Sequence, residues 1–135
     1  MSSKKIFVNL PVKDLKKSIG FFESLGYSFN PQFTDETAAC MVISEDIYTM
    51  LLTEPKFQTF IPNAIGDAKK STEVLVCLSM DSRKEVDETI SKAVAGGATT
   101  FTKPIDYGFM YSHSYQDLDG HIWELIHMDP SHVQS

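Results

Sequence analysis

Apolar side chains recur along this chain in two rhythms, and each rhythm appears twice. Ile6-Phe7-Val8-Asn9-Leu10 has the β-branched and aromatic make-up of a strand, and Pro11 is read as its end. Asp14 then stands where a helix N-cap would, ahead of Leu15, Ile19, Phe22 and Leu25, whose spacing of three to four residues gives one apolar stripe. Gly26 follows as a C-terminal cap. Tyr27-Ser28-Phe29, Ala38 to Ser44 and Ile47 to Leu52 return to the extended rhythm, with Glu45-Asp46 as a polar turn between the last two.

The second half repeats the order. Val74-Leu75-Val76-Cys77-Leu78 is strand-like, and Asp81 or Ser82 caps a helix from about Arg83 to Ala95. Val86, Ile90 and Val94 share one face of that helix, and Gly96-Gly97 stops it. Thr99-Thr100-Phe101, Phe109 to Gln116 and His121 to His127 supply three more strands. The pattern is β-α-β-β-β twice, predicting an α+β fold of two tandem modules. Module one covers about residues 5–53 and module two about 73–129. The 54–72 segment contains Pro55, Pro62 and Gly66 and reads as a long covering linker with a helical turn near Lys56 to Phe60. The Ser131 to Ser135 tail reads as frayed.

Composition narrows the function classes. A length of 135 residues suits one domain with a sizeable core, and 12 basic against 18 acidic residues give a net charge of −6. That charge argues against a nucleic-acid surface, and the one basic cluster, Lys13 to Lys17, is interrupted by Asp14. No apolar run is long enough to span a membrane and the Met-Ser-Ser-Lys-Lys start lacks a signal-peptide core, so a cytoplasmic protein is expected. Cys40 and Cys77 lie in apolar strand-like runs without metal spacing, and are read as buried free thiols.

The chemistry concentrates at the end, in Tyr115-Gln116-Asp117-Leu118-Asp119-Gly120-His121-Ile122-Trp123-Glu124-Leu125-Ile126. The Asp-rich tetrapeptide ending in Gly is a hairpin turn. After it, Ile122, Glu124 and Ile126 share a strand face, and a carboxylate between two isoleucines is costly to bury without a partner. If Asp117 to Gly120 is a tight turn, Gln116 opposes His121, Tyr115 opposes Ile122, and His113 opposes Glu124. Tyr111, His113, Tyr115, Ile122 and Glu124 would then share one face. A carboxylate orients a neighbouring imidazole and raises its pKa, as a general base or ligand anchor requires; a satisfied buried polar contact fits the same pair equally well. A turn one residue longer would carry His113 to the other face. No phosphate loop, His-Glu-x-x-His helix or nucleophile triad is present at a local spacing.

Val8-Asn9-Leu10-Pro11-Val12-Lys13-Asp14-Leu15 through Phe22, then Leu25-Gly26-Tyr27, and Asp117-Leu118-Asp119-Gly120 with Glu124, in a repeated βαβββ frame, resemble the vicinal oxygen chelate superfamily. That group includes glyoxalase I, the bleomycin- and fosfomycin-resistance proteins and the extradiol dioxygenases. The resemblance implies two modules curling into one concave, cup-like mixed sheet around a ligand, with the helices on its outer face and the chains paired as homodimers. It also implies a divalent metal held by side chains of the first and last strands. Those ligand positions fall here on Phe7, on Met50 to Leu52, on Leu75 or Val74, and on Glu124, so only Glu124 matches a ligand.

The expectation is therefore a small, largely apolar molecule bound in a cup rimmed by Phe7, Asn9, Met50, Leu75, Tyr111 and Tyr115. Glu124 and His113 would be its polar or catalytic groups, with no cofactor and the standard metal site lost. The alternative is a metal-dependent lyase, isomerase or dioxygenase using Glu124 and His113.

Overall fold

The computed structural model describes residues 4–130, so the tail Ser131 to Ser135 lies outside the described residues. The chain divides into two units, one ending at Gly66 and the other starting at Asp67. Each contains a β-α-β-β-β module with a four-stranded mixed sheet.

In the first unit, β1 (Ile6–Val12) is followed by α1 (Leu15–Ser24), β2 (Ser28–Asn30), a 3₁₀ turn at Pro31–Phe33, β3 (Ala38–Val42) and β4 (Ile47–Thr53). The Asp14 side chain accepts from the Lys17 amide at 3.2 Å and caps α1. Gly26 adopts φ 104° just past its end, a conformation that any side chain would strain. The sheet order is β1-β4-β3-β2, with β1 parallel to β4 and the other pairs antiparallel. Pro11 does not end β1. This is an edge strand, where proline's missing N–H costs no ladder bond, and pairing continues to Val12. Ala39, Met41, Thr49 and Leu51 share one sheet face and are fully buried, as are Val12 and Phe22, and Phe21, next to Phe22 in sequence, is buried. The short α2 (Glu54–Gln58) follows β4 directly and packs against β1 and β4.

In the second unit, β5 (Leu75–Ser79) leads into α3 (Arg83–Ala95), then β6 (Ile105–Asp106), β7 (Met110–Gln116) and β8 (Ile122–Met128). Ser82, not Asp81, is the cap: its hydroxyl accepts from the Glu85 amide at 3.0 Å. The order is β5-β8-β7-β6, with β5 parallel to β8. The strand read at Thr99 to Phe101 shrinks to one bridge, Thr99 with Gln116. The chain rejoins the sheet at β6, past Pro104, which lacks a ladder donor. Arg83 grips that segment through two bonds to the Asp106 carboxylate, at 2.7 and 3.2 Å, and one to the Gly108 carbonyl at 2.9 Å.

Trp123, Leu125 and Tyr115 are fully buried on the face turned to α3, with Val86 and Ala93 of that helix. Each such large apolar side chain contributes roughly 1.5–3 kcal/mol relative to exposure. Cys40 is buried as read from the sequence, but Cys77 is exposed, because it sits on the face away from α3. Among the described residues no helix is long and apolar enough to cross a membrane.

Candidate functional site

Asp117 decides which chemistry faces which way. Its carboxylate accepts from the Asp119 amide at 2.9 Å, the His121 amide at 3.0 Å and the Trp123 indole at 3.0 Å. These bonds pull Asp117 out of the ladder and into the loop. The loop then runs from Asp117 to His121, closed by Asp117 N–H donating to the His121 carbonyl and Gly120 N–H to the Asp117 carbonyl. Gly120 takes φ 92°, as such a bulged turn requires.

That loop is one residue longer than a tight Asp117 to Gly120 turn, and every pairing in the hairpin shifts. Gln116 opposes Ile122, Tyr115 opposes Trp123, Ser114 opposes Glu124, and His113 opposes Leu125. The anticipated His113–Glu124 pair therefore does not form, since a one-residue slip sends alternate side chains to opposite faces. His113 lies on the α3 face, its Nε2 3.0 Å from the Thr102 carbonyl. Tyr111 and Tyr115 move with it and rim no pocket with Glu124. Tyr111 donates to Asp87 of α3 at 2.6 Å, and Tyr115 is 0% exposed. His127 is also on that side, with Nδ1 3.0 Å from the Met80 carbonyl.

The face of the second sheet away from α3 holds a different set around Glu124. Cys77 of β5 is its neighbour on one side and Ser114 of β7 on the other, with Ile122 and Ile126 before and after it along β8. Leu75, paired with Ile122, is 47% exposed on the same face. Burial, then the hydrogen bond and the charge of Glu124, push the Cys77 thiol up to about 11, so it stays protonated and donates toward the carboxylate. None of the ion pairs among the described residues involves Glu124. The sequence pattern singled out Glu124 and Leu75; it missed Cys77 and Ser114 because their placement depends on the parallel β5–β8 register and on the turn length.

In the first unit, Phe7, Asn9 and Met50 share the face away from α1. Phe7 stacks on Tyr48 with ring centroids 4.8 Å apart, half exposed, and the Asn9 amide donates to the Phe7 carbonyl at 3.1 Å. Among the described residues no group of three or more His, Cys, Asp or Glu side chains could hold a metal ion.

A family model described as bleomycin resistance protein-like N-terminal matches residues 4–44, most of the first module. A hypothetical protein from S. aureus has a solved structure 26% identical to this chain, with a TM-score of 0.77 over 93% of this chain and 95% of that one. The chain shares the fold of the vicinal oxygen chelate superfamily. A glyoxalase/bleomycin resistance protein/dioxygenase family enzyme from Burkholderia phytofirmans matches with a TM-score of 0.78 at 14% identity, over 93% of this chain and 99% of that one. A genomically encoded fosfomycin resistance protein from Listeria monocytogenes matches with a TM-score of 0.68 at 21% identity, over 97% and 98% of the two chains. No curated protein matches the sequence. At these identities the vicinal oxygen chelate likeness defines the fold, and the reaction is a separate question.

Proposed function

We propose that this protein binds a small, largely apolar molecule on the helix-free face of its second sheet, with Glu124 as the polar anchor and without the superfamily's metal. The observation that carries this reading is the setting of Glu124: one carboxylate between a protonated thiol and a hydroxyl, walled by Leu75, Ile122 and Ile126. A divalent catalytic site needs about three protein ligands with open positions beside them. The superfamily's other ligand positions hold Phe7, Met50 to Leu52 and Leu75, none of which offers a nitrogen, oxygen or thiolate ligand. The donor set at Glu124 does not fit such an ion. Apolar walls with a few polar groups are what a small-molecule site requires. His113 has no part in this site, because it faces α3. A cytoplasmic homodimer is the setting we propose for it.

The test is a fluorescence titration with the neutral, polarity-sensitive dye Nile red, alongside a thermal-shift scan with Ni²⁺, Zn²⁺, Mn²⁺ and Fe²⁺. Saturable dye binding that weakens in Leu75→Asp, with the unfolding midpoint unchanged, is the expected result. A stoichiometric metal that raises the melting temperature would overturn the metal-free reading, because ligands of the native state stabilise it by mass action. Unsaturable dye binding would overturn the apolar site.

A further inference from the structure

From the charge balance around Glu124 we infer that the ligand is a small organic cation, an amine carried on an apolar body, whose ammonium pairs with Glu124. The inference rests on the binding face proposed above and names the chemistry it selects.

A carboxylate is acceptor-only and offers about four lone-pair positions. Cys77 uses part of that capacity as a neutral donor, and no ion pair among the described residues uses the rest. The side chain is half-buried among Leu75, Ile122 and Ile126, where the field of a charge is screened less than in water. A negative charge there is complemented best by a cation able to donate. An anion would meet Glu124 itself and a protein of net charge −6. A neutral alcohol could donate one bond but would gain no charge pairing.

The geometry also sets the ligand's proportions. Side chains two residues apart on one strand face are separated by about 7 Å. An ammonium over Glu124 therefore places an attached apolar group over Ile122 and Leu75 when the linker is one or two atoms long. An arylmethylamine has those proportions.

Calorimetric titration at low salt with three matched probes tests this: 2-naphthylmethylammonium, 2-naphthylmethanol and 2-naphthoate. The wild type is expected to bind the ammonium about tenfold more tightly than the alcohol, the range of a charge-assisted hydrogen bond, and the naphthoate more weakly than either. Glu124→Gln, which keeps the shape and removes the charge, should abolish the ammonium's advantage over the alcohol. A urea midpoint equal to wild type confirms that the variant is folded. Equal binding of ammonium and alcohol by the wild type would overturn the cation inference and leave the apolar site standing. A cation preference that survives Glu124→Gln would also overturn it, placing the effect in the overall negative charge. Binding of none of the three would refute the apolar site itself, and the inference with it.

Discussion

Replacing Asp117 with alanine probes the device that sets the register of the β7–β8 hairpin. The side chain is 7% exposed and accepts three hydrogen bonds, from the Asp119 and His121 amides and the Trp123 indole. Truncation leaves the buried indole N–H unpaired, at about 1–3 kcal/mol, and removes two further bonds at about 1 kcal/mol each. The expected loss is about 3–5 kcal/mol, a large part of the ~5–15 kcal/mol that holds a typical domain together. Asp117→Asn keeps one acceptor oxygen but turns an N–H₂ toward a donor, so it should lose less than alanine. Urea unfolding read by the fluorescence of Trp123, the single tryptophan, measures both. Wild type also separates from both variants in its pH response, because only it carries a titrating group at this position. Burial holds the Asp117 carboxyl above its ordinary range, against the pull of His121 and the indole bond. Its contribution to stability is therefore fully present below the ordinary aspartate pKa of about 3.9 and is lost as pH rises through the raised native value. The stability difference between wild type and Asp117→Asn should thus shift toward wild type on acidification from neutral pH. An alanine variant within about 1 kcal/mol of wild type would refute the register-lock argument.

Three further outcomes follow from the geometry. Gly120→Ala would place a Cβ 2.7 Å from the Lys69 Cγ and 2.8 Å from its amide at φ 92°, and should cost at least about 2 kcal/mol by urea unfolding, while Gly66→Ala, with nothing within 4 Å, should be near neutral. Cys77 should react with a thiol reagent at pH 8 about a hundredfold more slowly than a free cysteine, and Glu124→Gln should accelerate it by removing the charge that helps hold the thiol protonated. Ser82→Ala removes the α3 cap and should cost about 1 kcal/mol, measured by thermal unfolding.

The module order was legible in the sequence because periodicity and capping agree there. Leu15, Phe22 and Leu25 mark the stripe of α1, Asp14 its start and Gly26 its end, and α3 follows the same logic with Ser82 in place of Asp81. The site was legible only where strand alternation alone decides it: Glu124 with Ile122 and Ile126, and Leu75 on its own strand. What lies across from Glu124 depends on the loop length, and that length is set by a side chain, Asp117, bonding to the backbone of the loop itself. Asp117 to Gly120 is compatible with a tight turn and with the longer bonded loop, so His113, Tyr111 and Tyr115 were read onto the wrong face. Thr99 to Phe101 failed differently. Its composition suits a strand, but only the Thr99 backbone meets a partner.

In the first sheet, β4 is the last strand made and lies between β1 and β3. Until it emerges, β1 has no partner in this sheet, and Val8, Leu10 and Val12 stay uncovered by it through some forty intervening residues. At typical synthesis rates of about 5–20 residues per second, that interval lasts a few seconds. Once Thr53 is made, the whole ladder of the first sheet can close without any part of the second. A nascent chain stalled shortly after β4 clears the ribosome has every strand of this sheet available, and the interval before β4 is the one in which β1 is unpaired.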